Sequence, residues 1–240
     1  MGEAPVEQER KSRTFYGRRQ GRPLRKQATD LMENLLPSLT LLLELGEEKN
    51  SYAPFNPAEQ FGNGNPVWLE IGFGGGEHLA YQAEHNPDVN IIGVEPFING
   101  VASLLKHLDA NGARNVRIHQ ADVRQVLPAM TKGSLERVFL LFPDPWHKTR
   151  HNKRRLLQVE TLDHFARLLK PGGELRMATD DMGYLRWMLE RAVPHPAFEW
   201  QASGPSDWDR RTPDWPQTRY EEKGVEKGRK PGYLRFLRKA

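Results

Sequence analysis

An α/β fold with a doubly wound, mostly parallel sheet is the architecture that this sequence predicts. Short apolar runs alternate with segments of helical periodicity between residues 67 and 192, a pattern typical of a parallel sheet with helices on both faces. A glycine-rich turn follows the first run, and an acidic residue stands at the end of each of the first four runs. Because ligands of open α/β sheets bind where the strands end, the sequence predicts the ligand-binding edge as well as the fold.

The individual elements follow from apolar periodicity and from glycine and proline signals. Strands are predicted over 67–71, 90–95, 116–121, 137–142 and 174–179. Helices are predicted near 76–86, 98–111, 123–130, 153–169 and 182–192. The turn Pro171-Gly172-Gly173 is expected to precede the fifth strand, and segments 198–202 and 233–237 are expected to close the sheet as an antiparallel pair.

Residues before the first predicted strand do not show the alternation of strands and helices. Residues 1–23 are polar, basic and contain glycine, which indicates a flexible basic N-terminal arm. Residues 24–240 are long enough to form a single domain with a sizeable core. Within it, residues 24–45 are expected to be helical with a break at Pro37, and residues 46–65 are expected to form a loop.

Composition excludes several classes of protein. The chain has no cysteine, which removes disulfides, thiolate metal sites and cysteine nucleophiles and fits a reducing, cytoplasmic location. His147 and His151 have ligand-like spacing, but five cations surround them and would repel a metal ion, so no metal is expected. No apolar run approaches membrane-spanning length, so no membrane partner is expected either.

Charge is distributed unevenly along the chain. The net charge is +4, yet the segments 10–26, 147–155 and 217–240 together hold 21 of the 35 basic residues and only 3 of the 31 acidic ones. Cations concentrated in three separate segments of an otherwise acidic chain predict a polyanion-binding face, provided that the segments converge. Membrane lipid is the competing polyanion, but no long basic amphipathic helix supports it.

The acidic residues at the strand ends indicate which nucleotide the sheet binds. Gly72, Gly74 and Gly76 form a turn that lets a ligand approach the backbone, although a dinucleotide fingerprint would have a third glycine where Glu77 stands. Glu70, just before this turn, would repel a pyrophosphate and attract a cation. S-adenosylmethionine carries a sulfonium and an ammonium group and no phosphate, so it suits this site.

The next three strand ends agree with such a ligand. Glu95 ends the second strand, 19 positions beyond Gly76, where an acid can accept hydrogen bonds from both ribose hydroxyls. Asp122 follows the third strand and can accept from the adenine amino group, although an N-cap role is equally compatible with its position. Asp144 follows the fourth strand, and together these acids predict one continuous rim.

The segment 141–155, LFPDPWHKTRHNKRR, is the most specific part of the sequence. Asp144 stands between two prolines at the end of a buried strand, which indicates a fixed geometry. Trp146 follows, and then come five cations within eight residues. A carboxylate beside an aromatic side chain and a cation cluster suits a site that handles a nucleobase together with its phosphates. The competing interpretation is a solvated loop followed by a helix start.

From about Phe15 to the C-terminus, the chain resembles the bacterial tRNA (guanine-N7-)-methyltransferase family. The shared motifs are RRQGRPL (18–24), LEIGFGGGEHL (69–79), GVEPFINGVASLL (93–105), LLFPDPWHKTRHNKRR (140–155), LKPGGELRMATD (169–180) and TRYEEKG (218–224). The family tends to have proline or lysine at His147 and Thr149, and often histidine at Asn152; these departures dilute the cation cluster slightly.

The resemblance implies a Rossmann-like class I methyltransferase that uses S-adenosylmethionine, yields S-adenosylhomocysteine and modifies a guanosine in the tRNA variable loop, position 46 in the family. It implies cofactor binding by Glu70, Glu95, Asp122 and Asp144, beside the predicted glycine turn of Gly72, Gly74 and Gly76. It implies substrate contacts at Lys148, Asp180, Thr218, Arg219, Tyr220 and Glu221. Residues 218–221 lie between the two predicted closing strands, after Pro213 and Pro216, and are therefore expected on a loop near the rim. It implies RNA contacts at Arg150, His151, Asn152, Lys153, Arg154 and Arg155. No obligatory protein partner is evident.

We assign catalysis to Asp144, whose carboxylate would accept hydrogen bonds from the N1–H and amino groups of the guanine base. The alternative role for Asp144 is to orient the cofactor or the base. Three alternatives stay open at this stage. An exocyclic-amine methyltransferase also carries a short motif of proline and aromatic residues after its fourth strand. A catalytically silent tRNA-binding protein would share the basic segments. A nicotinamide oxidoreductase is disfavoured by Glu70 and by the missing glycine.

Overall fold

The computed structural model describes residue 17 and residues 19–48 and 50–240. Seven strands form one sheet in the order β3-β2-β1-β4-β5-β7-β6. They are β1 (Val67–Ile71), β2 (Asn90–Val94), β3 (Val116–His119), β4 (Leu135–Leu141), β5 (Leu169–Thr179), β6 (Phe198–Trp200) and β7 (Gly232–Arg238). The first five strands pair in parallel, and β7 runs antiparallel between β5 and β6. The predicted fold class is therefore confirmed, including its antiparallel closing strand.

Eight α-helices accompany the sheet in the described part of the chain. They are α1 (Lys26–Asn34), α2 (Leu36–Leu39), α3 (Glu77–His85), α4 (Ile98–Asn111), α5 (Val123–Val126), α6 (Val159–Leu168), α7 (Met182–Ala192) and α8 (Arg219–Glu226). The strand β1 is buried at every position, because helices cover both faces of the sheet. Two apolar clusters result, one centred on Leu79 and Leu104 and the other on Phe165 and Tyr184.

The predicted helix over 24–45 is wrong beyond Leu39. Thr40 has extended backbone angles and forms a bridge with Ile118, and the N–H group of Leu41 donates to the Ile118 carbonyl at 2.9 Å. The segment therefore continues along the edge strand β3. The backbone of this segment bonds to β3, whereas a helix would satisfy its backbone groups internally. Apolar periodicity does not distinguish these two cases.

Two other boundaries differ for local reasons. The predicted helix near 153–169 begins only at Val159, because residues 149–154 form a 3-10 helix and Arg155 is extended with ψ of 135°. Strand β5 begins at Leu169 and not after the Pro171-Gly172-Gly173 turn, and its register against β4 shifts between Leu135 and Arg137 to accommodate that insertion.

The predicted flexible arm over residues 1–23 stays a prediction, since residues 1–16 and 18 lie outside the described residues. The part that is described contacts α4. The carbonyl of Arg19 accepts from the N–H group of Ile98 at 3.0 Å, and the side chain of Asn99 bonds to the backbone of Gly21 and Arg22, both at 2.7 Å.

Gly76 lies close against α4, where the ligand-binding turn meets that helix. Its φ is +78°, and a Cβ atom there would stand 2.5 Å from Leu104 Cβ. Gly112, at the end of α4, has a similar φ of +74° but open space around it. The two positions therefore share the cost of a left-handed backbone and differ in steric crowding.

We expect Gly76→Ala to lower the free energy of unfolding by about 1–3 kcal/mol more than Gly112→Ala does, since only the first overpacks the contact between α3 and α4. Chemical denaturation of the two variants measures this difference. Equal losses of stability would show that the turn relaxes away from α4 at no cost.

Candidate functional site

A cavity of about 460 Å³ opens at the carboxyl ends of β1, β2 and β4. The chain passes from β1 to β2 on one side and returns to β4 on the other, so a crevice forms where the strand order reverses. Four of the predicted cofactor residues line this cavity: Gly72, Glu95, Asp122 and Asp144. The structure thus brings the ends of four successive strands to one site, as the sequence predicts.

Glu95 joins the second strand to the glycine turn. Its carboxylate is 7% exposed and accepts backbone hydrogen bonds from Gly74 and Phe97, each at 2.9 Å. Burial raises the pKa of Glu95; the two N–H bonds oppose this, and the negative charge of nearby Asp144 adds to it. Of the three predicted glycines, only Gly72 lines the cavity. Gly74 and Gly76 contribute to the shape of the turn without lining the cavity.

Glu70 lies beneath the turn and does not line the cavity. It is 2% exposed, and its Oε2 atom is 2.7 Å from His78 Nδ1 on α3. The other ring nitrogen of His78 lies 3.3 Å from Gln82 Nε2. The amide nitrogen of Gln82 can only donate a hydrogen bond, so Nε2 of a neutral His78 ring accepts it. The ring proton is then on Nδ1, which donates to the Glu70 carboxylate. The carboxylate is thus tied to α3.

Asp122 lines the cavity and also caps α5. Its Oδ1 atom accepts from the Arg124 backbone N–H at 3.0 Å, and both oxygens bond to the Arg124 guanidinium. The N-cap interpretation, which the sequence left equally open, therefore describes one of its interactions. Arg124 itself lines the cavity, so an arginine contributes to a rim for which the sequence indicated acids alone.

Asp144 stands exposed on a loop with an unusual backbone. Phe142 and Trp146, on either side of it, have φ values of 49° and 46°, a left-handed conformation that costs bulky residues about 1–3 kcal/mol each. The loop also includes Pro143 and Pro145, which fix φ and lack an N–H donor. Among the described residues, the Asp144 carboxylate has no hydrogen-bond or ion-pair partner, so its oxygens are free to accept from a ligand.

Two anchors hold this strained loop. The N–H group of Phe142 donates to the Ala178 carbonyl on β5 at 2.8 Å. Arg155 Nε donates to the Pro145 carbonyl at 2.7 Å, and its guanidinium packs over the ring of Trp187 at 4.7 Å. Arg155 is only 7% exposed. Its predicted RNA contact is therefore wrong: the side chain turns inward, because the carbonyl of Pro145 and the aromatic rings of α7 satisfy it there.

The remaining cations of this segment divide into two groups. Lys148, Arg150 and Lys153 are exposed on the 3-10 helix or just before it, where phosphate groups can reach them. Arg154 lines the cavity and lies over the Trp146 ring at 5.1 Å. His151 packs edge-on against the same ring, with centroids 5.9 Å apart. Partial desolvation and then the neighbouring cations, Arg154 first among them, lower the pKa of His151.

Asn152 is half-buried, and its backbone carbonyl accepts from the Gln158 side chain at 3.0 Å. Its side-chain oxygen Oδ1 is buried without a hydrogen-bond partner among the described residues. The structure therefore places Asn152 between the exposed cations and the protein interior, and not on the outer surface.

Residues 218–221 begin a helix, and the predicted loop is wrong. Thr218 is the N-cap of α8 and accepts from the Glu221 N–H group, while Glu221 accepts in return from the Thr218 N–H group at 3.2 Å. Tyr233 donates to the second oxygen of Glu221 at 2.6 Å, and Arg211 forms an ion pair with that oxygen. Glu221 is 2% exposed, so its carboxylate is fully used within the protein.

The other two residues of that segment face outward. Arg219 and Tyr220 are exposed, and the Tyr220 ring packs against Phe142 with centroids 5.2 Å apart. Asp180, at the end of β5, forms an ion pair with Arg229 at 2.8 Å and lies 3.5 Å from the Tyr220 hydroxyl. α8 is thereby placed beside the Asp144 loop.

Arg229 and Phe142 were not identified from the sequence. Arg229 is one of eight basic residues in the segment 217–240, and nothing in its neighbourhood distinguishes it from the others. Phe142 was predicted as the last residue of the fourth strand, and nothing in its apolar run indicates that its ring packs against α8. Only the approach of α8 to the ends of β4 and β5 assigns these two contacts.

Comparisons with known proteins agree with this geometry. A family described as "Putative methyltransferase" matches residues 64–232. Two solved structures share the fold at 16% identity: an antibiotic-related methyltransferase (TM-score 0.53, covering 86% of this chain and 99% of that one) and a 16S rRNA (adenine(1408)-N(1))-methyltransferase variant from Catenulisporales acidiphilia (0.51, 84% and 98%). Within the described residues, no helix has both the length and the apolar character needed to cross a membrane.

Similarity in sequence is more specific. The tRNA (guanine-N(7)-)-methyltransferase of Rhodospirillum rubrum is 52% identical over 244 aligned positions, with 100% of this chain and 91% of that protein covered. The proteins of the same name from Paramagnetospirillum magneticum and Roseobacter denitrificans are 50% and 46% identical, over 94% and 96% of this chain and 93% and 98% of theirs. The chain belongs to the family of the tRNA (guanine-N(7)-)-methyltransferases.

Proposed function

We propose that this chain transfers the methyl group of S-adenosylmethionine to N7 of a guanosine in the variable loop of tRNA. The observation that carries the proposal is the position of Asp144. Its carboxylate, which has no hydrogen-bond or ion-pair partner among the described residues, stands on a fixed loop that lines the strand-end cavity and leads into the exposed cations of 148–153. A base held at Asp144 can face the cavity while its phosphates remain near those cations. Because tRNA is the proposed substrate, we place the activity in the cytoplasm.

The cavity fits S-adenosylmethionine by its donors and acceptors. Glu95 can accept from the ribose hydroxyls, and Asp122 from the adenine amino group. Gly72 leaves the backbone open to the ligand, with φ of +67° and no neighbour within 4 Å of a Cβ at that position. We propose that Glu70 acts on the cofactor indirectly, by fixing α3 through His78. When bound, S-adenosylmethionine supplies an electrophilic methyl group.

The methyl transfer requires no proton transfer to create the nucleophile. Guanine N7 carries an in-plane lone pair and no proton, so alignment of N7 with the methyl group is the main requirement. Positive charge then develops on the guanine ring and makes its N1–H and amino protons more acidic. A carboxylate that accepts hydrogen bonds from these groups therefore binds the transition state more strongly than the ground state. We assign this role to Asp144.

The remaining substrate residues act by placement. Tyr220 and Arg219 project from the start of α8, and we propose that they contact the base and an adjacent phosphate. Thr218 and Glu221 set the direction of that helix through their reciprocal cap. Asp180 is tied to Arg229, so we propose that it positions Tyr220. Lys148 is exposed beside the Asp144 loop and is proposed to bind the substrate phosphate.

Incubation with bulk tRNA and labelled S-adenosylmethionine, followed by nucleoside analysis, tests the proposed reaction. N7-methylguanosine carries a fixed positive charge, whereas a methylated exocyclic amine does not. Sequencing at the modified base then tests the variable-loop position. An alkylated amine as product, or no product together with intact tRNA binding, would replace the proposal by one of the two alternatives.

Asp144→Asn keeps the shape of the side chain and removes its charge. We expect methyl transfer to fall by about tenfold to a thousandfold, the range for removal of one electrostatic interaction where the bound substrate excludes water, and cofactor affinity to fall much less. Single-turnover rates and calorimetry separate the two effects. Asp109→Asn, on the exposed side of α4, is the control. Normal turnover in Asp144→Asn would refute the assigned role.

Glu95→Ala should weaken S-adenosylmethionine binding by about 1–3 kcal/mol, because the variant no longer offers a charged acceptor to the ribose hydroxyls. In the unmodified protein, affinity should fall as the pH is lowered, since protonation removes the ionised acceptor. Burial raises the pKa of Glu95, so this fall begins at a higher pH than an exposed carboxyl would give. Calorimetry across acidic pH checks both points; an identical pH profile in Glu95→Ala would contradict them.

The exposed cations should determine the salt dependence of tRNA binding. Arg150→Glu combined with Lys153→Glu is expected to reduce the slope of log K against log salt by about 0.7–0.9 for each phosphate that is no longer neutralised. Lys132→Glu should leave the slope unchanged, because Lys132 is exposed just before the amino end of β4 and the site lies at the carboxyl end of that strand. Arg155→Ala should lower the melting temperature instead, since Arg155 is an internal anchor. An unchanged slope in the double variant would remove these residues from the interface.

A further inference from the structure

Helix α3 connects the cofactor turn to the segment that carries the proposed substrate residues. It begins at Glu77, directly after Gly76, and is linked to the segment 212–221 by hydrogen bonds. Three side chains on it, Glu77, His78 and Gln82, reach that segment. None of the three lines the cofactor cavity; His78 and Gln82 are connected to the cofactor turn through Glu70, and Glu77 has no part in the site described above.

The first connection is made by Glu77. Its Oε2 atom accepts from the backbone N–H group of Arg219 at 3.1 Å, across 142 positions of sequence. Arg219 is the first residue of α8, and its N–H is one of the donors that a helix leaves unpaired at its start. The same carboxyl group lies beside the turn, with Cδ 3.7 Å from where a Cβ atom of Gly75 would stand. One side chain therefore lies next to the cofactor turn and bonds to the start of α8.

The second connection is buried. Gln82 Nε2 donates to the backbone carbonyl of Asp214 at 2.6 Å, and the His78 ring packs against Trp215 with centroids 5.4 Å apart. His78 is itself bonded to Glu70 on β1. The segment that leads into α8 is thereby attached to the strand that precedes the cofactor turn.

From these contacts we propose that Glu77 is a positioning residue that couples the cofactor site to the substrate helix. A ligand that orders the turn 72–76 also orders the Glu77 carboxylate, and this fixes the start of α8 with Tyr220 and Arg219. Binding of cofactor product and of tRNA should consequently favour each other, and thermodynamic linkage makes the effect reciprocal. The inference rests on the proposed function, because it takes the turn as the cofactor site and α8 as part of the tRNA site.

Two substitutions separate the hydrogen bond from the charge. Glu77→Asp keeps the negative charge at the start of α3 and shortens the side chain by one methylene, so that it no longer reaches Arg219. Glu77→Gln keeps the reach and the acceptor oxygen and removes the charge. Glu222→Gln is the matched control, since Glu222 is an exposed acid in the first turn of α8 and forms no hydrogen bond or ion pair with the described residues of α3.

The measurement is the dissociation constant of tRNA with and without saturating S-adenosylhomocysteine. We expect the product to tighten tRNA binding by about three- to tenfold, the equivalent of one hydrogen bond of about 0.5–1.5 kcal/mol. This factor should fall towards one in Glu77→Asp, while Glu77→Gln retains most of it and Glu222→Gln retains all. Kinetics should agree: KM for tRNA rises in Glu77→Asp, with the affinity for S-adenosylhomocysteine alone within about twofold of normal.

Several outcomes would overturn the inference. Coupling absent from the unmodified protein, or equal in Glu77→Asp and the unmodified protein, removes the role. A melting temperature that falls in step with the coupling makes Glu77 a purely structural residue. Failure of the proposed function is distinguishable, because the unmodified protein would then not bind S-adenosylhomocysteine or not form N7-methylguanosine, whatever stands at position 77.

Discussion

The reversal of strand order between β1 and β4 is the constraint on which the rest of this structure depends. These two strands are neighbours in the sheet, yet the chain leaves β1 towards β2 on one side and returns to β4 on the other. No connection covers the carboxyl ends of the two strands, so a cavity remains there. The glycine turn follows β1 and the Asp144 loop follows β4, and both therefore reach this cavity although 70 residues separate them in the chain.

Backbone strain and its compensation give the Asp144 loop its shape. Two bulky residues, Phe142 and Trp146, have positive φ, and such a conformation persists only where the surroundings determine it. β5 bonds to the first end of the loop and Arg155 to the second. An arginine of a cation-rich segment is thus used internally, and the loop it holds presents an acid whose charge no described residue neutralises. Fixed geometry of this kind suits a reaction governed by alignment.

Charge in the site is arranged by depth. Glu95 and Glu70 are buried and bonded to protein groups, so they shape the cofactor turn. Asp144 is exposed at the mouth of the cavity, Arg154 lines the cavity, and Arg150 is exposed on the 3-10 helix that follows the loop. The exposed cations therefore attract a polyanionic substrate to the surface beside the cavity. α3 lies between these regions, which is why the bond between its first residue and α8 can couple one to the other.

The sequence by itself determined the elements whose signals are local. The strand Val67–Ile71 and the helices Ile98–Asn111 and Met182–Ala192 have the bounds that apolar periodicity predicts, and three of the four acids predicted at strand ends line the cavity. Tertiary structure alone decided where Arg155 points and what Glu221 binds. Both carry charges that a sequence assigns to the surface, and both are buried because partners distant in the chain, Trp187 and Tyr233, satisfy them. Periodicity records whether a position is apolar, whereas the burial of a charge depends on partners that only the folded chain brings into contact.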